Sequence, residues 1–203
     1  MNIRTPLRTA WAALRALLVL TVVTGVLYPL AIAGVAQAAF GDRADGSPVQ
    51  ADGRDVGSSL IGQTWNDANG DPDPRWFQPR PSHSGYDPTA TGSSQLGASD
   101  PTLLASVEET RAAVAAFNGV PESAVPPDAV TGSASAIDPH ISPAYAELQV
   151  ARVASANGLS PDRVERLVAD HTEGRDLGFL GDERVNVLEL NVALRAVVTA
   201  DGD

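Results

Sequence analysis

Apolar residues fall along this 203-residue chain in two patterns: an unbroken run over residues 16–41, and a recurrence every three or four positions from residue 100 onward. The unbroken run is 26 residues long and contains no charge. As a helix rising 1.5 Å per residue it would measure about 39 Å, against roughly 30 Å of bilayer hydrocarbon, which predicts a tilted transmembrane helix. Arg4, Arg8 and Arg15 precede it and no acid does. The positive-inside rule therefore keeps residues 1–15 in the cytoplasm and sends the remainder outside. Trp11 and Phe40 are spaced to reach the two interfaces. Ala36-Gln37-Ala38 has the small-x-small form of a signal-peptidase site. The apolar run before it is about twenty residues, longer than the about 7–15 of a signal-peptide core, so length favours a retained anchor over cleavage. Thr21 and Gly25 form a small-xxx-small pair and Pro29 removes a backbone donor, which makes these three the candidate contacts with other membrane helices.

Beyond the run, residues 42–55 are Gly, Asp, Ala, Ser and Pro with little apolar content and read as a tether, with the domain proper over residues 56–203. Residues 56–65 predict a short strand and residues 66–74, with Asn69-Gly70 and two Asp-Pro steps, a turn. Two prolines in residues 75–82 argue for an irregular packed segment, followed by loop to residue 98. Asp100-Pro101 then opens a helix with Leu103, Val107, Thr110, Val114 and Phe117 at helical spacing, ended by Gly119 and Pro121. Residues 120–143 return to a Pro-rich loop, long enough to suggest a docking surface. Ser142-Pro143 starts a helix that stops at Gly158, and Ser160-Pro161 starts another with Val164, Leu167, Val168 and His171 on one face. Residues 172–180 are a glycine-interrupted loop. Asn186 caps a last helix with Glu189 as its capping-box partner and Val187, Leu190, Leu194 and Val197 as its stripe. The fold class is a single transmembrane helix plus an α+β extracytoplasmic domain of about four helices and a few short strands.

Charge and composition narrow the function. All 25 acids follow the span with eleven of the fourteen arginines, a net charge of −14 that disfavours nucleic acid as a partner. Cysteine is absent, which excludes disulfides, thiolate metal sites and a thiol nucleophile. Lysine is absent too, and with it the P-loop lysine and Schiff-base chemistry.

No Gly-x-Ser-x-Gly elbow, Gly-x-Gly-x-x-Gly turn or His-Glu-x-x-His helix occurs. The three histidines, His83, His140 and His171, do not have ligand spacing on one element, so no metal site is assigned. Asp138 and His140 with a serine make a nominal triad of little diagnostic weight, and no catalytic residue is assigned. Arg75 and Arg80 flank Trp76 and Phe77, a set suited either to gripping an anion or to packing on its own domain.

Several strings in order resemble one family: GSSLIGQ at residues 57–63, WFQPRPS at 76–82, GSSQLG at 92–97, DAV at 128–130, DPHISP at 138–143 leading into AELQV at 146–150, and LGFLG at 177–181 with RVNVLELN at 184–191. Together they resemble the C subunit of the Kdp potassium-transporting ATPase, over the anchor and nearly all of the domain. Departures are Gln95 and Asp100, where the family usually shows Asn, and residues 134–137 in place of a glycine-rich run.

The resemblance implies an accessory, non-catalytic subunit of a high-affinity potassium uptake complex. It implies as partners a potassium-channel-like subunit, a P-type ATPase subunit and a small one-helix subunit, which would handle potassium and ATP themselves, so that no cofactor is assigned to this chain. It also implies a rise in the ATP affinity of the ATPase subunit, as a catalytic chaperone. ATP is cytoplasmic, so direct contact with it by the large domain would require the orientation read from the arginines to fail, whereas preferential binding to one pump conformation would raise apparent affinity indirectly; the mechanism stays open between the two. Candidate subunit-interface residues are Gln78, Pro79, Arg80, Ser82, Asp138, His140, Ser142 and Asn191. The alternatives are a membrane-tethered exported hydrolase using His140 and a serine, and an extracellular ligand-binding module.

Overall fold

In the computed structural model, residues 4–202 are described; residues 1–3 of the expected cytoplasmic arm and Asp203 at the end of the domain lie outside them. The chain divides into two units, Met1–Pro48 and Val49–Asp203.

The first unit is helical: α1 (Arg4–Val22), a π-helical turn (Val23–Leu27) and α2 (Tyr28–Ala44). Together they give one stretch, Leu7–Ala44, long and apolar enough to cross a membrane. The π turn has a cause in the sequence. The Pro29 ring would clash with the Gly25 carbonyl one turn back and Pro29 has no N–H to give it. The helix widens there instead, with Tyr28 N–H donating five residues back to Val23 O. Thr24 Oγ1 donates to Leu20 O at 2.7 Å just before the turn. At the other end Phe40 leaves helical geometry (φ −146°, ψ 49°), at the edge of the apolar run.

The stretch read as a tether carries regular structure: α2 runs on to Ala44, and β1 (Pro48–Ala51) pairs with β2 (Arg54–Ser58) in a hairpin. Asp52 (φ 53°) and Gly53 (φ 72°) both adopt left-handed backbone between the strands, as a two-residue type I′ hairpin turn requires. The strand expected at residues 56–65 thus begins at Arg54 and ends at Ser58.

Four helices build the remainder: α3 (Pro101–Asn118), α4 (Pro143–Asn157), α5 (Pro161–Asp170) and α6 (Val187–Gly202). Asp100 accepts from Thr102 N–H at the start of α3, and Gly119 and Gly158 close α3 and α4 in left-handed conformation (both φ 68°). Asn186 Oδ1 caps α6 by accepting from Leu188 and Glu189 N–H, so Glu189 takes part through its backbone. Three strands too short for any periodicity, β3 (His140–Ile141), β4 (Thr172–Glu173) and β5 (Arg184–Asn186), form an antiparallel sheet in the order β3-β5-β4, with Ile141 and Thr172 both opposite Val185.

The core lies between α4, α5, α6 and the sheet, around Val150, Val153, Val164, Val185, Leu190 and Leu194. Phe77 enters it from the irregular segment and is fully buried.

Candidate functional site

Residues 73–82 belong to no strand or helix, yet Asp73, Phe77 and Gln78 within them are buried, so the backbone polar groups there need partners that a sheet would have supplied. Side-chain amides supply them. Asn191 on α6 accepts from Phe77 N–H and donates to Phe77 O, both at 2.9 Å, and Gln149 on α4 does the same for Gln78 at 2.7 and 3.1 Å. Arg152 on α4 donates to Pro74 O, Trp76 O, Gln149 Oε1 and Asn118 Oδ1, and its guanidinium lies 4.4 Å from the Phe117 ring centre. Burial lowers its pKa to about 10, so it stays charged at neutral pH. The Gln78 side chain turns inward, donating to Trp65 O and Asp73 O. Gln78 and Asn191, expected on a docking surface, are therefore interior residues that fix this segment.

The segment emerges at Pro79, and from there the other candidates converge. Arg80 pairs with Asp138 at 3.2 Å and donates to Thr131 O, which ties residues 78–82 to residues 138–142. Asp138 Oδ1 lies 3.2 Å from His140 Nδ1 and accepts from His140 N–H at 3.0 Å. Burial pushes the Asp138 carboxyl up, but the bonds from His140 and the charge of Arg80 outweigh it, and the net effect is a lowered pKa. Ser82 Oγ donates to Ala136 O and accepts from Tyr86 N–H, while the buried Tyr86 hydroxyl donates to Arg80 O.

Ser142, the serine nearest His140 in sequence, donates its hydroxyl to Asp128 at 2.8 Å and accepts from Tyr145 N–H at 3.0 Å. It is an N-cap of α4 locked by a carboxylate, with Asp128 also accepting from Ser142 N–H. Asp138 and His140 are thus paired, but the hydroxyl beside them serves the helix. Arg80, Asp128, Asp138, His140 and Ser142 line one shallow depression of about 320 Å³ with Asp182, Glu183 and Arg184.

Arg75 is engaged with Asp73 at 2.6 Å, and Trp76 packs on Trp65 with ring centres 5.3 Å apart. Among the described residues no group of three or more His, Cys, Asp or Glu side chains is placed to share a metal ion. His83 is exposed, and His171 bonds back to Leu167 O at 2.8 Å at the end of α5. In the apolar helix, Thr21, Gly25 and Pro29 are all exposed, and a Cβ added at Gly25 would meet nothing within 4 Å. Ala36, Gln37 and Ala38 lie inside α2.

Sequence reasoning missed Gln149 and Arg152, which fall on α4 between apolar positions. The signal available was two long polar residues on the buried side of a helix whose neighbour in the chain is proline-rich.

Residues 10–196 match the family described as KdpC, the K+-transporting ATPase c chain. The chain is similar to the potassium-transporting ATPase KdpC subunit of Kineococcus radiotolerans, 55% identical over 192 residues with 94% of each chain covered. It is similar also to that of Streptomyces coelicolor, 50% identical with 92% of each chain covered, and to that of Mycobacterium tuberculosis H37Rv, 49% identical over 90% of this chain and 95% of that one. This chain belongs to the KdpC family, the c chain of the K+-transporting ATPase.

Proposed function

We propose that this chain is the accessory, non-catalytic, single-pass subunit of an ATP-driven potassium uptake complex, with its N-terminus in the cytoplasm and its large domain outside. One observation carries the reading: the family match over residues 10–196 runs through both the apolar helix and nearly all of the domain. The three arginines before the span, Arg4, Arg8 and Arg15, favour this orientation. The polar groups of the domain support a non-catalytic role, since Ser142, Asp128, Gln149 and Asn191 are each committed to holding the fold. The chain contacts a channel-like subunit, a P-type ATPase subunit and a small one-helix subunit. By binding one pump conformation more tightly than another it raises the apparent ATP affinity of the ATPase subunit without touching ATP.

The test is growth at micromolar potassium of a strain lacking this chain, with and without a plasmid copy, together with ATPase titration of the purified complex. The expected results are growth restored only by the full-length chain and a higher Michaelis constant for ATP without it. Equal growth of the deleted strain would overturn the reading.

A further inference from the structure

The two most exposed large apolar side chains of the domain among the described residues, Leu177 at 84% and Phe179 at 70%, sit with Leu180 at 49% on one loop between β4 and β5. We propose that this loop is the plug by which the domain docks on a partner subunit of the complex, one that offers an apolar cup with a basic rim; the inference rests on the accessory-subunit reading above.

The loop is built rather than loose. Asp176 and Leu180 exchange both backbone hydrogen bonds at 2.9 Å, and Gly178 N–H and Phe179 N–H donate to Arg175 O and Asp176 O. Arg184 pairs with Glu173 at 2.8 Å and reaches Asp176 at 3.6 Å, which fastens both legs of the loop. Leu177 is held at φ 54°, a left-handed conformation that side chains with a Cβ avoid, and in that conformation it points away from the domain's own core. A leucine held at a rare backbone angle and left in water gains nothing within this chain. The gain lies in burial against another surface.

Charge selects among surfaces. Asp170, Glu173, Asp176, Asp182 and Glu183 outnumber Arg175 and Arg184 around the tip, and the exported part as a whole carries −14. Anionic lipid headgroups would be repelled, whereas an apolar pocket rimmed by Arg or Lys complements this ring. The tip is also continuous with the candidate face, because Asp182, Glu183 and Arg184 at its base line the same depression as Arg80, Asp138 and His140.

The test places a photoreactive benzoylphenylalanine at position 179 of the full-length chain, coexpressed with the other subunits, and the same residue at Leu104, exposed on α3. Illuminated membranes are analysed by mass spectrometry of the adducts and by copurification of the unmodified subunits. Adducts between position 179 and a subunit of the pump, at least fivefold above position 104, are expected. Lipid adducts, or equal yield at both positions, with the subunits still copurifying would overturn the plug and leave the accessory reading standing. Loss of copurification even for the unsubstituted chain would overturn that reading itself.

Discussion

The side-chain amide of Asn191 closes both backbone hydrogen bonds of Phe77, N–H and C=O alike at 2.9 Å, 114 positions away in the chain. One residue of the last helix thereby substitutes for a neighbouring strand, and the proline-containing segment that carries the candidate face is fixed from below. Asn191→Leu would leave two buried backbone groups unpaired, each costing about 1–3 kcal/mol. We expect the thermal midpoint of the domain to fall by several degrees and the Phe77 amide to lose its hydrogen-exchange protection. Unchanged protection at Phe77 would show that the pairing is not what holds the segment.

Gly62 is a close-approach glycine. A Cβ there would run into the Tyr86 ring and come within 2.9 Å of Asp138 O, and Gly62 N–H donates to Ile137 O at 2.9 Å. Gly62→Ala should destabilise by about 1–3 kcal/mol, as overpacking does. Denaturant unfolding measures it. Tyr86→Ala, which removes the ring, should weaken the effect of the glycine substitution when the two are combined.

Ser142 and Asp128 form a cap whose loss has a known scale. Ser142→Ala should cost about 0.5–2 kcal/mol of stability, the range for removing an N-cap hydroxyl. Asp128→Asn should cost less than Asp128→Ala, because the amide oxygen still accepts from Ser142 N–H. Denaturant midpoints of the three variants order them.

Acid should weaken the domain in a defined direction. Asp73 is held below its ordinary value of 3.8, chiefly by its bond to Arg75 and against the push of burial, and Asp138 is also lowered. A carboxyl with a depressed folded-state pKa contributes stability in full above its unfolded value and loses it as pH falls through the folded value. The stability gap between the wild-type chain and Asp73→Asn should therefore be largest near neutral pH and shrink below about pH 4. A gap that widens on acidification would contradict the assignment.

The long elements were legible because their punctuation is local. Asp100-Pro101, Ser142-Pro143 and Ser160-Pro161 announce helices, and Gly119 and Gly158 end two of them, from the sequence alone. The hairpin at residues 48–58 was signalled by Asp52-Gly53 yet hidden by flanking strands with almost no apolar alternation. Strands β3, β4 and β5, of two or three residues, exist only through pairing that no local pattern encodes. The same holds for the candidate site. Arg80 and Asp138 were singled out by type and context, but that Gln78 and Asn191 turn inward depends on a chain crossing 71 to 114 positions distant. Leu177 and Phe179 lie in a string that carries the family resemblance, but their sequence reads as loop and does not show that the structure leaves them 84% and 70% exposed.

The most direct test of the account is affinity purification of the C-terminally tagged full-length chain from detergent-solubilised membranes of potassium-starved cells, with mass spectrometry of its partners and of its own N-terminus. A P-type ATPase subunit and a channel-like subunit are expected in the eluate, with residues 1–38 retained. A chain recovered alone and beginning at Ala39 would contradict it.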